Sequence, residues 1–226
     1  MIQFEGVTKL YPPDTAALQD VNLEIKEGEF VSIIGKSGAG KTTLLKLLLA
    51  EEKASQGRVL FEGKEVEEIG SSNLPYYRRS IGVVFQDYKL LDSKTVFENI
   101  AYVMEVVGAP DDAVKRDVQE VLDIVGISHK AESFPEQISD GERQRVAVAR
   151  ALIHRPKVIL ADEPTASLDP YNTRDIIRLL IKINEFGTTI LLATHNREVI
   201  NLLGKRVITL DDGRVARDEE KGRFVI

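Results

Sequence analysis

Glu29 to Thr43 reads EFVSIIGKSGAGKTT, and two patterns meet inside it. Glu29–Gly35 is a short, nearly unbroken apolar run ending in glycine, as expected of a strand buried on both faces of a parallel sheet. Gly35-Lys36-Ser37-Gly38-Ala39-Gly40-Lys41-Thr42 satisfies G-x-x-x-x-G-K-[ST], with Thr43 directly after it. Glycines allow the backbone to bend until successive N–H groups point inward, and the start of the following helix adds its own free donors. Such a loop cradles phosphate. Lys41 is expected to reach the β- and γ-phosphates of a nucleotide, and Thr42 to ligate Mg²⁺. A Leu-rich helix should run from about Lys41 to Ala50.

The rest of the chain arranges itself around that strand and loop. Ahead of it, Ile2 and Phe4, then Val21, Leu23 and Ile25, alternate with polar residues as strands do, with YPPD between them as a loop. Behind it, GRVLFEGKEV reads as a hairpin turning at Glu62-Gly63, and SIGVVFQ as another buried strand. From about Thr95 to Gly126 the spacing becomes helical, with Val114, Val118, Val121, Leu122 and Val125 on one face and Gly126 as a stop. KVILAD and TTILLAT are buried strands separated by a helix near Thr173–Glu185, and RVITLDDGRVA is a hairpin with a D-G turn. Strands alternating with helices predict an α/β fold with a parallel-sheet core. We expect a single domain over residues 1–226, with one lobe from 1–87 and 136–226 and a helical part at 88–135.

Composition narrows the function. A net charge of −6 over 226 residues argues against bulk attraction to nucleic acid. With no cysteine, thiolate chemistry and disulfides are excluded. His129, His154 and His195 are scattered without metal-site spacing. No apolar run approaches the ~18–20 residues that cross a bilayer, so a soluble, cytoplasmic protein is expected.

Two polar clusters carry chemistry. VILADEP ends a buried strand in Asp162 and Glu163. At a strand tip beside a phosphate loop, Asp162 suits a Mg²⁺ ligand and Glu163 a general base facing the attacking water. ISDGERQRVAVARAL opens a helix, and on its residues alone Ser139 and Glu142 form an S-x-x-E capping box. The alternative is that this helix start binds a phosphate held mainly by another molecule.

The order of these motifs resembles the ATP-binding cassette (ABC) family over essentially the whole chain: the phosphate loop, Gln86 after IGVVF, ISDGERQR, ILADEP, SLD at Ser167–Asp169, and ATH ending in His195. The resemblance implies a P-loop ATPase with an N-terminal antiparallel β subdomain and a helical subdomain, using ATP and Mg²⁺. It implies that Tyr11 stacks on adenine, that Gln86 touches Mg²⁺ or water and senses a membrane partner, that His195 contacts the γ-phosphate, and that Asp169 couples two sites. It also implies a homodimer formed on ATP binding, in which Ser139 and Gly141 of one copy meet the nucleotide of the other. Where the family has Ser-Gly-Gly, this chain has Ser139-Asp140-Gly141. A carboxylate ~6 Å from a γ-phosphate would repel it by roughly 3 kcal/mol at an effective dielectric of 20, so the Asp140 side chain is expected to point away.

The stretch VVFQDYKLLDSKTVFENI is similar to the cell-division branch of the family. That branch implies an FtsX-like integral membrane protein as partner, control of peptidoglycan hydrolases, and a peripheral position on the inner face of the cell membrane, reached only through the partner. Tyr88, Leu90 and Leu91 are candidate docking residues. The ATPase subunit of a lipoprotein-releasing or MacB-like exporter is the alternative. A soluble ABC ATPase of repair or translation would carry a coiled-coil insert or a second cassette, and a P-loop kinase would leave Ser139 and His195 without a role.

Overall fold

The computed structural model describes residues 1–222. Two sheets make its framework. The first is antiparallel and four-stranded: β1 (Ile2–Tyr11), β2 (Thr15–Ile25), β4 (Gln56–Phe61) and β5 (Lys64–Glu65), in the order β2-β1-β4-β5. The second has six strands, in the order β10-β9-β3-β8-β7-β6. Its members are β3 (Phe30–Ile34), β6 (Ile81–Val84), β7 (Val158–Asp162), β8 (Thr189–Ala193), β9 (Arg206–Asp211) and β10 (Arg214–Glu219). All its neighbours are parallel except β9 and β10, which form the hairpin expected from the D-G turn. Asp212 and Gly213 there, like Glu62 and Gly63 in the earlier hairpin, both take positive φ, as a two-residue turn matched to strand twist requires.

The continuous apolar runs are explained by what covers each face. In β7, Val158 and Leu160 join a core with the antiparallel sheet and α1 (Lys41–Leu48), while Ile159 and Ala161 face the other helices. Those helices are α3 (Val96–Glu105), α4 (Asp111–Val125), α5 (Asp140–Leu152) and α6 (Pro170–Glu185). The helical stretch has no core of its own. Val118, Leu122 and Val125 of α4 pack in one cluster with Val146 and Val148 of α5 and with the sheet.

Several boundaries differ from expectation. The helical stretch after Thr95 is two helices, broken at Gly108 (φ 74°) and at Pro110, which precedes α4 as its cap. A proline inside a helix would lack a donor and clash with the preceding turn, so the period cannot run through it. α6 begins at Pro170, not near Thr173. Asp169 caps it, and proline is tolerated at the first helical position because its missing N–H has no intrahelical partner anyway. Two short helices, α2 (Leu74–Arg79) and α7 (Arg197–Leu203), were not expected. Each is under two turns or nearly so, too short to show a period.

Candidate functional site

The parallel strands β3, β6, β7 and β8 all end at one edge of the sheet, and the residues that follow each end line one cleft of about 610 Å³. After β3 come Gly35, Lys36, Ser37, Gly38, Gly40, Lys41, Thr42 and Thr43; after β6, Gln86; from β7, Asp162 and Glu163; after β8, His195. The carboxyl ends of parallel strands are where open α/β sheets bind ligands. Ala39 is the exception within the loop. Its side chain is buried, and its N–H donates to the Lys36 carbonyl at 3.1 Å. Lys36 lines the cleft without having been singled out, since it occupies a free position of the motif.

The loop is tightly bound to the protein behind it. Gly40 has φ 102°, and a Cβ there would meet the Ala17 carbonyl oxygen at 2.5 Å and Leu18 Cδ2 at 2.7 Å. Only glycine fits the conformation and the space. Lys41 is buried, and its ammonium donates to the carbonyls of Gly35 (2.8 Å) and Lys36 (3.1 Å). It is folded back across its own loop, where phosphate oxygens could replace those carbonyls.

Opposite the loop stand the acids. Thr42 Oγ1 donates to Asp162 Oδ2 at 3.0 Å. Burial pushes the Asp162 carboxyl above the usual carboxylate range; the Thr42 bond opposes this, and the neighbouring Glu163 adds to it. Two carboxylates this close favour a cation between them and the phosphate loop. Thr42, Gln86 and Asp162 offer hard oxygen donors that fit Mg²⁺, an ion usually shared between few protein ligands, phosphates and water. No cluster of three His, Cys, Asp or Glu among the described residues forms a dedicated metal cage.

Glu163 has φ 48°, in the left-handed region. Its N–H donates to the Ala193 carbonyl at 2.8 Å, so the chain reverses off β7 and brings the carboxylate to the end of β8. There Glu163 Oε2 accepts from Thr194 Oγ1 (3.0 Å) and the His195 N–H (3.3 Å), while Oε1 lies 2.6 Å from His195 Nδ1. Strained backbone that persists at a site is held by its surroundings, here by these bonds. The pair is mostly open on the histidine side: the His195 side chain is 66% exposed and that of Glu163 14%.

Besides Ala39, four candidates lie outside this cleft. Tyr11 ends β1, half-buried, with Lys9 Nζ 4.9 Å above its ring. Asp169 accepts the N–H groups of Tyr171 (2.8 Å) and Asn172 (3.0 Å) at the head of α6. Ser139 caps α5: Glu142 N–H donates to its hydroxyl, and Glu142 Oε2 accepts from both the Ser139 hydroxyl (2.9 Å) and its N–H (2.8 Å). Gly141 packs against Asn172, so that a Cβ would run into the Asn172 side-chain amide oxygen. Asp140 is exposed and pairs with Arg143 at 3.1 Å. Of the docking candidates, Tyr88 has a buried hydroxyl and Leu90 packs against the helical core; Leu91 is 37% exposed.

Comparison with known proteins shows the family. The family model described as "ABC transporter" matches residues 18–166. The chain is 50% identical over 224 residues to the cell division ATP-binding protein FtsE of Streptococcus pneumoniae, covering 99% of this chain and 97% of that one. It is 46% identical to FtsE of Bacillus subtilis, covering 99% and 98%. Among solved structures, a dimeric post-hydrolysis state of the ATP-binding cassette MJ0796 bound to ADP and Pi superposes with a TM-score of 0.87 at 38% identity, over 99% of this chain and all of that one.

Proposed function

The chain belongs to the ABC transporter family, and we propose that it is the ATP-hydrolysing subunit of a membrane complex acting in bacterial cell division. The observation that carries this is the convergence of the Lys41 loop, Asp162, Glu163 and His195 in one cleft, in a chain nearly half identical along its whole length to cell-division ATP-binding proteins.

The reaction is ATP + H₂O → ADP + phosphate. The N–H groups of the loop from Gly35 to Thr43 and the Lys41 ammonium hold the β- and γ-phosphates, with Tyr11 against the adenine. Thr42, Gln86 and Asp162 would hold Mg²⁺, which neutralises charge on the phosphate oxygens. Glu163 accepts the proton of the attacking water. His195, tied to Glu163, stands beside it to meet the γ-phosphate. Ser139 and Gly141 of a second copy complete the nucleotide site, and Asp169 couples the two sites across the pair. The dimeric, ADP- and Pi-bound state of the MJ0796 cassette supports the pairing.

No helix among the described residues is long and apolar enough to cross a membrane. The protein sits in the cytoplasm on the inner face of the cell membrane, through an FtsX-like integral membrane partner, and needs no nucleic acid. Beside the Gln86 segment, a groove of about 480 Å³ between α2 and α3 is lined by Arg78, Phe85, Tyr102 and Val106, among others. Tyr102 and Val106 are 45% and 65% exposed. That groove, with Leu91, would seat an apolar segment of the partner.

The test is capture from membranes with tagged Glu163→Gln protein and ATP, which holds the nucleotide-bound pair. Recovery of a four-span membrane protein with a large external domain is expected. Recovery of lipoprotein-release or MacB-like components instead would move the chain to the export reading.

A further inference from the structure

The segment that leaves Gln86 turns through two consecutive left-handed residues, Tyr88 (φ 54°) and Lys89 (φ 48°). Neither is glycine or asparagine, and in this region the Cβ crowds the following carbonyl. Two such residues in succession require something to hold them. The hold is Arg150, from the far half of α5. Its Nη1 donates to the Lys89 carbonyl at 2.6 Å and its Nη2 to the Tyr88 carbonyl at 2.7 Å. A guanidinium presents its donors as a rigid fork, and two successive carbonyls turned to one side match that fork.

Arg150 also lines the groove between α2 and α3, but both of its described hydrogen bonds go to this loop. It makes no ion pair among the described residues, and burial lowers its pKa. The same loop is secured at other points. The Lys89 ammonium lies 3.9 Å from the centre of the Phe85 ring, just ahead of Gln86. At the far end, fully buried Asn99 of α3 accepts from the Leu91 N–H at 2.8 Å and donates to the carbonyls of Leu91, Lys94 and Thr95. The Tyr88 hydroxyl is buried without a hydrogen-bond partner, and the charges acting on it are those of Asp140 and Arg143 in the first turn of α5. The helix that grips this loop through Arg150 thus also brings the charges of its first turn to bear on it, and that helix begins at the Ser139 turn.

We propose that Arg150 is a positioning residue for ATP hydrolysis: its clamp on the Tyr88 and Lys89 carbonyls sets the backbone that presents Gln86 to the cleft and ties it to the helix bearing Ser139 and Gly141. This rests on the roles given above to Gln86 and the Ser139 turn.

The experiment measures steady-state phosphate release by the full chain. Arg150→Met keeps most of the side-chain volume and removes both donors. Its kcat should fall about tenfold, since a small displacement of a reacting group costs that much or more. The KM for ATP, and binding of a fluorescent ATP analogue to the Lys41 loop, should change less than about threefold. Adding Lys89→Gly should recover several-fold of the lost kcat, because glycine adopts φ near 48° without the clamp. A merely structural role for Arg150 would give no such rescue. Wild-type kcat in Arg150→Met, or a loss that Lys89→Gly leaves unchanged, overturns the proposal. Should Arg150→Met fail to fold, Arg150→Lys retains the charge without the fork. It should lower kcat in a soluble chain, and wild-type kcat there equally overturns the proposal. Absence of phosphate release by the wild-type chain would instead defeat the ATPase reading beneath it.

Discussion

The loop at Gly35–Thr43 and the turn at Ser139–Glu142 use similar materials: glycine and hydroxyl residues at the start of a helix, where backbone donors have no intrahelical partner. Their surroundings differ. The loop is met within its own chain by Gln86, Asp162, Glu163 and His195, all lining one cleft. The turn is absent from that cleft, its hydroxyl engaged only with its own Glu142 and its Asp140 with Arg143. A helix start that contributes nothing to its own chain's phosphate cleft is what the proposed pairing requires, in which a second copy completes the site. With both elements on one chain, the proposed pairing would make dimerisation and phosphate binding a single event.

The largest effect should come from the half that is complete in one chain. Glu163→Gln removes the proposed proton acceptor and keeps its shape and most of its hydrogen bonds. Turnover should fall ~10²–10⁴-fold, with binding of a fluorescent ATP analogue within a few-fold of wild type. Wild-type turnover would mean that the base is elsewhere and that the contacts of Glu163 to Thr194 and His195 serve the fold alone.

The comparison is sharpened most directly by mixing defective copies. Lys41→Ala breaks the loop of one chain, and Ser139→Arg fills the turn of another; each variant alone should be nearly inactive. In an equimolar mixture about a quarter of wild-type turnover should return, because half the pairs are mixed and each holds one site with an intact loop and an intact turn. Mixing wild-type chain with a chain carrying both changes should give no mixed-pair activity. No recovery in the first mixture, with about half of wild-type turnover in the second instead of the quarter that wild-type pairs alone supply, would show that the turn serves its own chain.

These two regions were also unequally legible in the sequence. The loop could be read outright, because G-x-x-x-x-G-K-T has no packing purpose and a buried strand precedes it. Asp162 and Glu163 followed from their place at a strand tip. Ser139 and Glu142 were legible only as a cap, which the structure has; the phosphate reading needed the order of motifs along the whole chain. Contacts between distant side chains were hidden altogether. Nothing near Gly141 in sequence points to Asn172, and nothing near Gln86 points to Arg150. Local patterns show periodicity and caps, while these contacts depend on how α5 crosses its neighbours. The misplaced start of α6 has a local cause: Asp169-Pro170 has the look of a loop, but is a cap followed by a proline at the first helical position.

A smaller effect would test how closely the turn is fitted to its own chain. Gly141→Ala puts a Cβ into the Asn172 amide, which is short and held by Asp169. Overpacking of this kind costs ~1–3 kcal/mol. A fall in the thermal midpoint is expected, together with a higher ATP concentration for half-maximal pairing in the Glu163→Gln background. Asn172→Ala in the same chain should restore the midpoint. If it did not, the tightness at Gly141 would have another source.

The smallest effect concerns the cap itself and separates its two duties. Ser139→Ala removes the acceptor of the Glu142 N–H, a loss of about 1 kcal/mol and a thermal midpoint lower by ~2–4 °C in a chain of this size. Glu142→Gln should cost less at neutral pH, since glutamine can return the bond to the Ser139 N–H. The difference between glutamate and glutamine there depends on charge. The Ser139 N–H holds the Glu142 carboxyl below its ordinary value of 4.5, partial burial opposes this, and the Ser139 hydroxyl adds to it. A carboxylate with a depressed pKa contributes stability that is fully present above the unfolded value and disappears as pH falls through the folded one. The midpoints of wild type and Glu142→Gln should therefore differ at pH 7 and converge below pH 4.5, as the carboxyl becomes neutral. Pairing should behave otherwise: if Ser139 meets a second copy's nucleotide, Ser139→Ala weakens ATP-driven pairing at pH 7 and Glu142→Gln hardly does. Equal weakening by both, in proportion to their midpoints, would reduce Ser139 to a cap.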